Sequence, residues 1–386
     1  MTRLPDQILS DDALQQVLRA LQAQGNRAYL VGGAVRNALL GEAVDDIDIA
    51  TDATPEQTVA LAKTAGLRPV PTGIDHGTVT VVAARRGFEV TTFRRDVSTN
   101  GRHAVVAFSA DLAEDAARRD FTINALYADS AGRVIDPMGG LPDLWARRLR
   151  FVGDPDQRIR EDYLRILRFF RFLARYGRQA DPRAVTACAA HRQGLARIAR
   201  ERIGAEMRKL LDAADPGPAV ALMEETGVLP MVLPDARPDA LAALLAVENG
   251  LPPAWPRRLA ALSPTDCGEA LRLSRAEARV QDRLREAQAK GWSLDEAAYR
   301  LGPELGVHHA LLRAALGHPL PEGWRDRIDT AAAATLPVAA ADLAPLTGPA
   351  LGRGLKAAEA AWIASGFSLP APALIDMALL AQEETP

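Results

Sequence analysis

The sequence predicts an α+β protein: a small N-terminal head in which a mixed or antiparallel sheet packs with helices, followed by an all-helical remainder. Three observations predict it. Residues 29–49 read as strand, glycine turn, helix and strand; residues 79–93 read as two strand-like runs joined by a turn; and past residue 199 helical spacing takes over, broken by Pro or Gly. At 386 residues the chain is too long for one core, so two or more domains are expected.

Residues 10–24 combine a serine N-cap (Ser10), an acidic first turn and apolar Leu14, Val17, Leu18 and Leu21, which predicts an amphipathic helix ending at Gly25. Tyr29, Leu30 and Val31 form a short strand, Gly32 and Gly33 a turn, and Arg36 rides the helix that follows. The next strand holds Asp46 and Asp48, so alternation sets both carboxylates on one face and sends Ile47 and Ile49 into the core. Thr54 and Pro55 open another helix, stopped at Gly66. Residues 79–84 and 88–93 make an antiparallel hairpin turning at Arg85, Arg86 and Gly87, with Glu89 on its second strand. Residues 94–108, polar and rich in turn formers, predict a mobile loop. A single helix is predicted over 160–175. Tyr163, Ile166, Leu167, Phe170 and Leu173 make its buried stripe, while Asp162, Arg165, Arg168 and Arg171 recur every three residues on another face.

Two carboxylates held side by side repel and raise each other's pKa, a cost that a divalent cation removes by binding both. Oxygen-only ligands suit Mg²⁺, which keeps several waters and takes further ligands from substrate phosphates. Glycines at 32 and 33 let backbone approach such phosphates, and Arg36 offers a counter-charge. A net charge of −3 gives no general affinity for nucleic acid, which would need a local basic face. Cys188 and Cys267 match no metal spacing and read as buried free thiols in a reducing compartment. With no apolar run long enough to span a membrane and no apolar leader, a soluble cytoplasmic protein without a membrane partner is expected.

GG-x-VR-x-x-LLG followed by D-x-D resembles the nucleotidyltransferase motif of the polymerase beta superfamily, in the form found in bacterial class II CCA-adding tRNA nucleotidyltransferases and their poly(A) polymerase relatives. Asn37 stands where that family usually has Asp. ARRDFTINALY at 117–127 is similar to the family's second motif; read alone it is a capped helix with a solvated arginine pair. IDPMGGLPDL at 135–144 matches the family's DPxGGxxDL turn, whose Gly139 and Gly140 offer a hinge, and EDYLRILRFFRF matches its base-selecting motif. The resemblance is dense over roughly residues 28–211 and thin beyond.

The resemblance implies a polymerase-beta-like catalytic head (1–140), a helical neck with the base-selecting helix (141–212), and a helical body and tail that bind tRNA (213–386). It implies that C, C and A are added to the tRNA 3′ end from CTP and ATP, with Mg²⁺ held by Asp46 and Asp48, and with the tRNA 3′ end and acceptor stem as partner. Gly32, Gly33, Arg36, Arg118 and Arg119 would hold the triphosphate, and Asp120 and Asn124 would meet a ribose hydroxyl. Asp162 and Arg165 would read the base, with Arg168 and Arg171 meeting phosphates and Glu201, Arg202 and Glu206 bracing that helix. Glu89 occupies a place where the superfamily often puts a third carboxylate; an exposed strand glutamate with no role accounts for it at least equally well. The rival is a poly(A) polymerase adding AMP to RNA, but such enzymes carry a basic G-[RK]-[RK]-F-type stretch where this chain has His76, Gly77 and Thr78. Residues 94–108 resemble the flexible loop that CCA-adding enzymes need for the final A.

Overall fold

In the computed structural model the described residues are 2–100, 103–248 and 250–381, and they fall into two units, 1–234 and 235–386. The first unit opens with α1 (Asp6–Leu9) and α2 (Asp12–Gln22). Asp11, not the expected Ser10, caps α2: its carboxylate accepts from the Leu14 N–H at 3.1 Å, while the Ser10 hydroxyl turns back to the Gln7 carbonyl. Leu14, Val17, Leu18 and Leu21 are buried, so the amphipathic stripe stands as expected.

β1 (Ala28–Val31), α3 (Gly33–Leu40), β2 (Asp48–Thr51) and α4 (Pro55–Thr64) follow. Thr54 closes a capping box on α4, accepting from the Gln57 N–H while the Gln57 side chain accepts from the Thr54 N–H. Thr54→Ala therefore lowers the unfolding free energy by ~1 kcal/mol, read by urea denaturation.

β3 (Arg68–Gly73), β4 (Thr78–Ala83) and β5 (Arg86–Thr92) come next. The β4–β5 turn is tighter than expected. Ala84 and Arg85, both at positive φ, form a two-residue connection, so Arg86 and Gly87 belong to β5 rather than to the turn. Residues 94–108, expected as a loop, pair as β6 (Arg94–Asn100) and β7 (His103–Phe108), a two-stranded sheet of their own. Val105 and Val106, with Phe108, supply the strand-forming residues. Gly101 and Arg102 of the expected loop lie outside the described residues.

α5 (Leu112–Ala117), β8 (Tyr127–Ala128) and β9 (Val134–Ile135) complete the head. The main sheet has seven strands in the order β3-β4-β5-β2-β1-β8-β9. Only the β2–β5 pairing is parallel, so the sheet is mixed as expected. This parallel pairing sets Asp48 opposite Glu89. Val31, Ala50, Phe93 and Tyr127 pack together beneath it.

α6 (Gly140–Trp145), β10 (Arg148–Leu149), α7 (Pro155–Glu161), α8 (Leu164–Tyr176), β11 (Gln179–Ala180), α9 (Pro182–His191), α10 (Arg200–Leu211) and α11 (Gly217–Glu225) finish the first unit. Of the glycine pair expected to offer a hinge, Gly140 is held in place, while Gly139, at φ +67°, has open space beside it. A Cβ at Gly140 would stand 2.1 Å from the Thr122 carbonyl oxygen, and Asp136 accepts from the Gly140 and Leu141 N–H groups at 2.7 and 2.9 Å. Close packing and a side-chain cap hold the second half of the turn. Phe121, Phe151, Phe169 and Phe172 interlock with ring centroids 5.0 to 6.2 Å apart, tying α8 to the strand ends of the head.

The second unit runs through α12 (Pro238–Val247), α13 (Trp255–Leu262), α14 (Arg275–Ala289), α15 (Leu294–Leu301), α16 (Pro303–Ala315), α17 (Trp324–Ala333), α18 (Gly348–Ala364) and α19 (Ala371–Leu380). Among its described residues there is no strand. Inside it, Glu248 accepts from the buried Arg257 and Arg258 at 2.5 and 2.8 Å. Among the described residues no helix is long and apolar enough to cross a membrane.

Candidate active site

β2 begins at Asp48, so Asp46, expected on the same strand, lies instead in the irregular segment before it. The exposed/buried alternation still holds: Asp46 and Asp48 are exposed, Ile47 and Ile49 buried. Protein crowding on one side of Asp48 raises its pKa through desolvation. Repulsion from Glu89 adds more than repulsion from Asp46, and Arg119 pulls the other way. A carboxylate made unfavourable by its neighbours fits a cation. Among the described residues no three His, Cys, Asp or Glu side chains converge to enclose a metal, so oxygens from outside the protein would have to complete the shell.

The glycine turn sits directly beyond β1. Gly32 adopts φ +67°, which favours glycine, and a Cβ there would lie 3.3 Å from Arg119 Nη1. Arg119 is thereby placed beside the turn. Its Nε donates to the Tyr127 hydroxyl at 2.9 Å and its Nη2 to Asp115 at 3.1 Å, while Arg118 donates to the other Asp115 oxygen. Burial works to raise the Asp115 pKa, but the two arginines and the Tyr127 hydroxyl outweigh it and hold it below the usual carboxylate range. Residues 118–127 are thus no continuous helix: α5 ends at Ala117, and a 3₁₀ turn over Thr122–Asn124 leads into β8.

Arg36, expected as a counter-charge to phosphates, is turned inward. It is 5% exposed, with its guanidinium 3.9 Å from the Tyr176 ring centre and 5.3 Å from that of Phe172. It donates to the Asn37 and Asn124 side-chain oxygens and, at 2.8 Å, to the Tyr176 hydroxyl. Asn124 donates in turn to Asp120 at 2.9 Å, and Asp120 accepts from Arg168. Burial would raise the Asp120 pKa, yet Arg168 and Asn124 hold it down at about 2. Asp120 and Asn124 therefore already have protein partners and link the glycine-turn helix α3 to α8.

The expected helix over 160–175 is two helices. Asp162 adopts extended backbone (φ −151°, ψ 106°), ends α7, and accepts from the Leu164 N–H at 3.0 Å at the start of α8. A short side-chain acceptor competes with the helical backbone and breaks it. Asp162 consequently lies outside the helix that carries Arg165, Arg168 and Arg171. Its other oxygen accepts from Arg202 at 2.7 Å, and Arg165 binds Glu161 at 2.5 Å and the Arg158 carbonyl at 2.7 Å through Nη1. Arg171 donates to Glu206, which also lies 4.0 Å from Arg168. Arg202 and Glu206 on α10 thus brace this segment as expected.

Residues 28–150 match the family described as "Poly A polymerase head domain", and residues 179–239 match "Probable RNA and SrmB- binding site of polymerase A". CCA tRNA nucleotidyltransferase 1, mitochondrial, of Danio rerio is 42% identical over 224 residues, which are 57% of this chain and 52% of that protein. The CCA-adding enzyme of Levilactobacillus brevis is 40% identical over 230 residues, 59% of this chain and 56% of that one. The crystal structure of the Bacillus stearothermophilus CCA-adding enzyme in complex with CTP superposes with a TM-score of 0.71 at 30% identity, covering 92% of both chains. The chain belongs to the tRNA nucleotidyltransferase and poly(A) polymerase family. In sequence alignment it spans about half the length of the curated relatives it matches.

Of the residues expected in this family member's site, the structure gathers Gly32, Gly33, Arg36, Arg119, Asp120, Asn124 and Arg168 into one connected group, with Arg118 reaching it through Asp115. Asp162 and Arg165 stand at the head of α8 with separate partners. Sequence reading missed Asp115, Tyr127 and Tyr176. Asp115 had a signal, since it precedes Arg118 and Arg119 by three and four residues on a helical segment. Tyr176 had none: it meets Arg36 across 140 residues of chain.

Proposed function

We propose that the protein adds C, C and A to the 3′ end of tRNA from CTP and ATP, without a nucleic-acid template. The observation that carries this is the acidic pair Asp46 and Asp48, set in a fold matched over 92% of its length by a CCA-adding enzyme holding CTP. The functional division is a catalytic head over 1–140, a base-selecting neck over 141–212, and a tRNA-binding body and tail over 213–386. It works in the cytoplasm, where tRNA and nucleoside triphosphates meet.

Asp46 and Asp48 hold the metal, Mg²⁺ on this oxygen-only donor set, with oxygens from outside the protein completing the shell and Glu89, opposite Asp48, adding negative charge beside the pair. When bound, that ion offsets charge on the transferring α-phosphate and lowers the pKa of the attacking 3′-hydroxyl. Arg119, held beside Gly32 by Asp115 and Tyr127, faces the triphosphate, with Arg118 behind it. Asn124 Oδ1, which accepts from Arg36, keeps a second lone pair for a ribose hydroxyl, whereas Asp120 already accepts from Phe121 N–H, Asn124 and Arg168 and would meet that hydroxyl only by exchanging one of these donors.

Cytosine and adenine each present an amino donor beside a ring-nitrogen acceptor. Asp162 accepts from the amino group through a lone pair that Arg202 and Leu164 leave open, and Arg165 donates to the ring nitrogen through Nε or Nη2. Uracil and guanine present the reverse pattern, and a site built on hydrogen bonds rejects them because buried polar groups would stay unpaired. Arg168 and Arg171, further along α8, serve phosphates.

Purified protein given tRNA lacking its CCA end, an unrelated RNA, and all four triphosphates tests the reading. Addition of C, C and A to the tRNA alone is expected; long A tails on both RNAs would establish the poly(A) polymerase alternative instead. Asp162→Ala combined with Arg165→Ala should bring UTP and GTP use to within about tenfold of CTP use. Undiminished discrimination in that variant removes the base-reading role.

A further inference from the structure

We propose that Asn37 sets the affinity of the glycine turn for polyphosphate, by leaving the buried Arg36 guanidinium without a carboxylate of its own. The identity of the anion rests on the nucleotidyltransferase reading above; the electrostatics do not. Arg36 is 5% exposed, and each group it donates to is neutral: the Asn37 carboxamide oxygen at 3.1 Å from Nε and 2.9 Å from Nη2, the Tyr176 hydroxyl at 2.8 Å, and the Asn124 carboxamide oxygen. Tyr176 and Phe172 add the faces of their rings. Among the described residues Arg36 forms no ion pair. The acidic groups that influence it from further off are Asp120 and Glu42, and both are committed elsewhere, Asp120 to Arg168 and Glu42 to Arg147 at 3.6 Å.

A buried cation satisfied only by dipoles keeps its charge available to a second anion, whereas one already paired does not. Its place gives that charge a direction. A Cβ at Gly33 would lie 3.6 Å from Arg36 Nη2, so the guanidinium rests directly against the turn where the triphosphate is proposed to sit. Asn37 suits this arrangement on its other side as well: its amide nitrogen donates to the Ala43 carbonyl at 2.9 Å, which a carboxylate could not do. Arg36 thus acts through the turn as a fixed positive charge, with Tyr176 and the two asparagines as positioning residues.

Tripolyphosphate, titrated calorimetrically in EDTA, probes the charge without base, tRNA or metal. Asn37→Asp places a carboxylate beside the guanidinium, and about tenfold weaker tripolyphosphate binding is expected from one added unit charge a few ångströms away at a partly buried site. Asn37→Ala removes the hydrogen bonds but keeps the surplus charge, so binding should stay within about threefold of the parent. Binding of cytidine, which lacks phosphate, should not distinguish the two variants. Should Asn37→Asp fail to fold, Asn37→Glu brings a carboxylate to the same guanidinium on a side chain one methylene longer and reads the same quantity. Equal tripolyphosphate affinity in the folded Asp variant and the parent, or weaker binding in the Ala variant than in the Asp variant, overturns the proposal. A parent that binds tripolyphosphate with this ordering but adds no nucleotide to tRNA leaves it standing and ends the functional reading. A parent that adds CCA without this ordering does the reverse.

Discussion

Alanine at both Asp46 and Asp48 lowers nucleotide incorporation into CCA-less tRNA by about a thousandfold or more, the scale set by removing charge stabilisation at a transferring group. The loss should be in turnover, measured in single-turnover assays with saturating CTP, and should resist rescue by excess Mg²⁺. Stability should move the other way or not at all. The Asp48 pKa is raised in the folded state by crowding and by repulsion from Glu89 and Asp46. An acid whose folded pKa lies above its unfolded value costs stability once pH exceeds both, so deleting the Asp48 carboxylate relieves a strain at neutral pH. A double variant with intact melting behaviour and no activity therefore separates chemistry from folding. Incorporation at the parental rate would end the assignment of the acidic pair.

Asp120→Ala has the largest expected effect on stability, a loss of about 3 kcal/mol in urea unfolding, because it leaves Arg168 without its carboxylate in a mostly buried network. Its pH dependence carries a distinct sign. The folded-state pKa of Asp120 is depressed to about 2 from an unfolded value near 3.8. The stabilisation is thus fully present above about pH 5 and is lost as pH falls toward 2, amounting to roughly 2 kcal/mol over that window. Asp120→Asn, which keeps the shape and drops the charge, should flatten this part of the stability profile relative to the parent. Parallel profiles for the two proteins would mean that the Asp120–Arg168 pair contributes nothing.

What could be read in the sequence was what is decided locally. The exposure of Asp46 and Asp48 against buried Ile47 and Ile49, the Thr54 cap, the buried stripe of α2 and the helices of the second unit each depend on residues within a turn or two. Non-local pairing decided the rest. β3 and the parallel match of β2 with β5 come from segments brought together by the sheet, and nothing in the DDIDI run announces that Asp48 will face Glu89. Arg36 illustrates the limit on side chains. The motif places it beside the turn, but whether it points outward or stacks inward is settled by Tyr176 at the far end of α8. Residues 94–108 misled for a related reason, since the polar first half concealed a strand that only its apolar second half completes.

The interruption at Asp162 has a mechanical consequence. Because α7 and α8 are separate rods joined through Asp162 and Tyr163, a residue gained or lost in α7 would take Glu161 and the Arg158 carbonyl away from Arg165 but leave Arg168 and Arg171 in phase with Asp120 and Glu206. The joint acts as a clutch for the far half of α8, so length variation upstream should cost Arg165 its partners, while the same change inside α8 should unseat Arg168 and Arg171 as well.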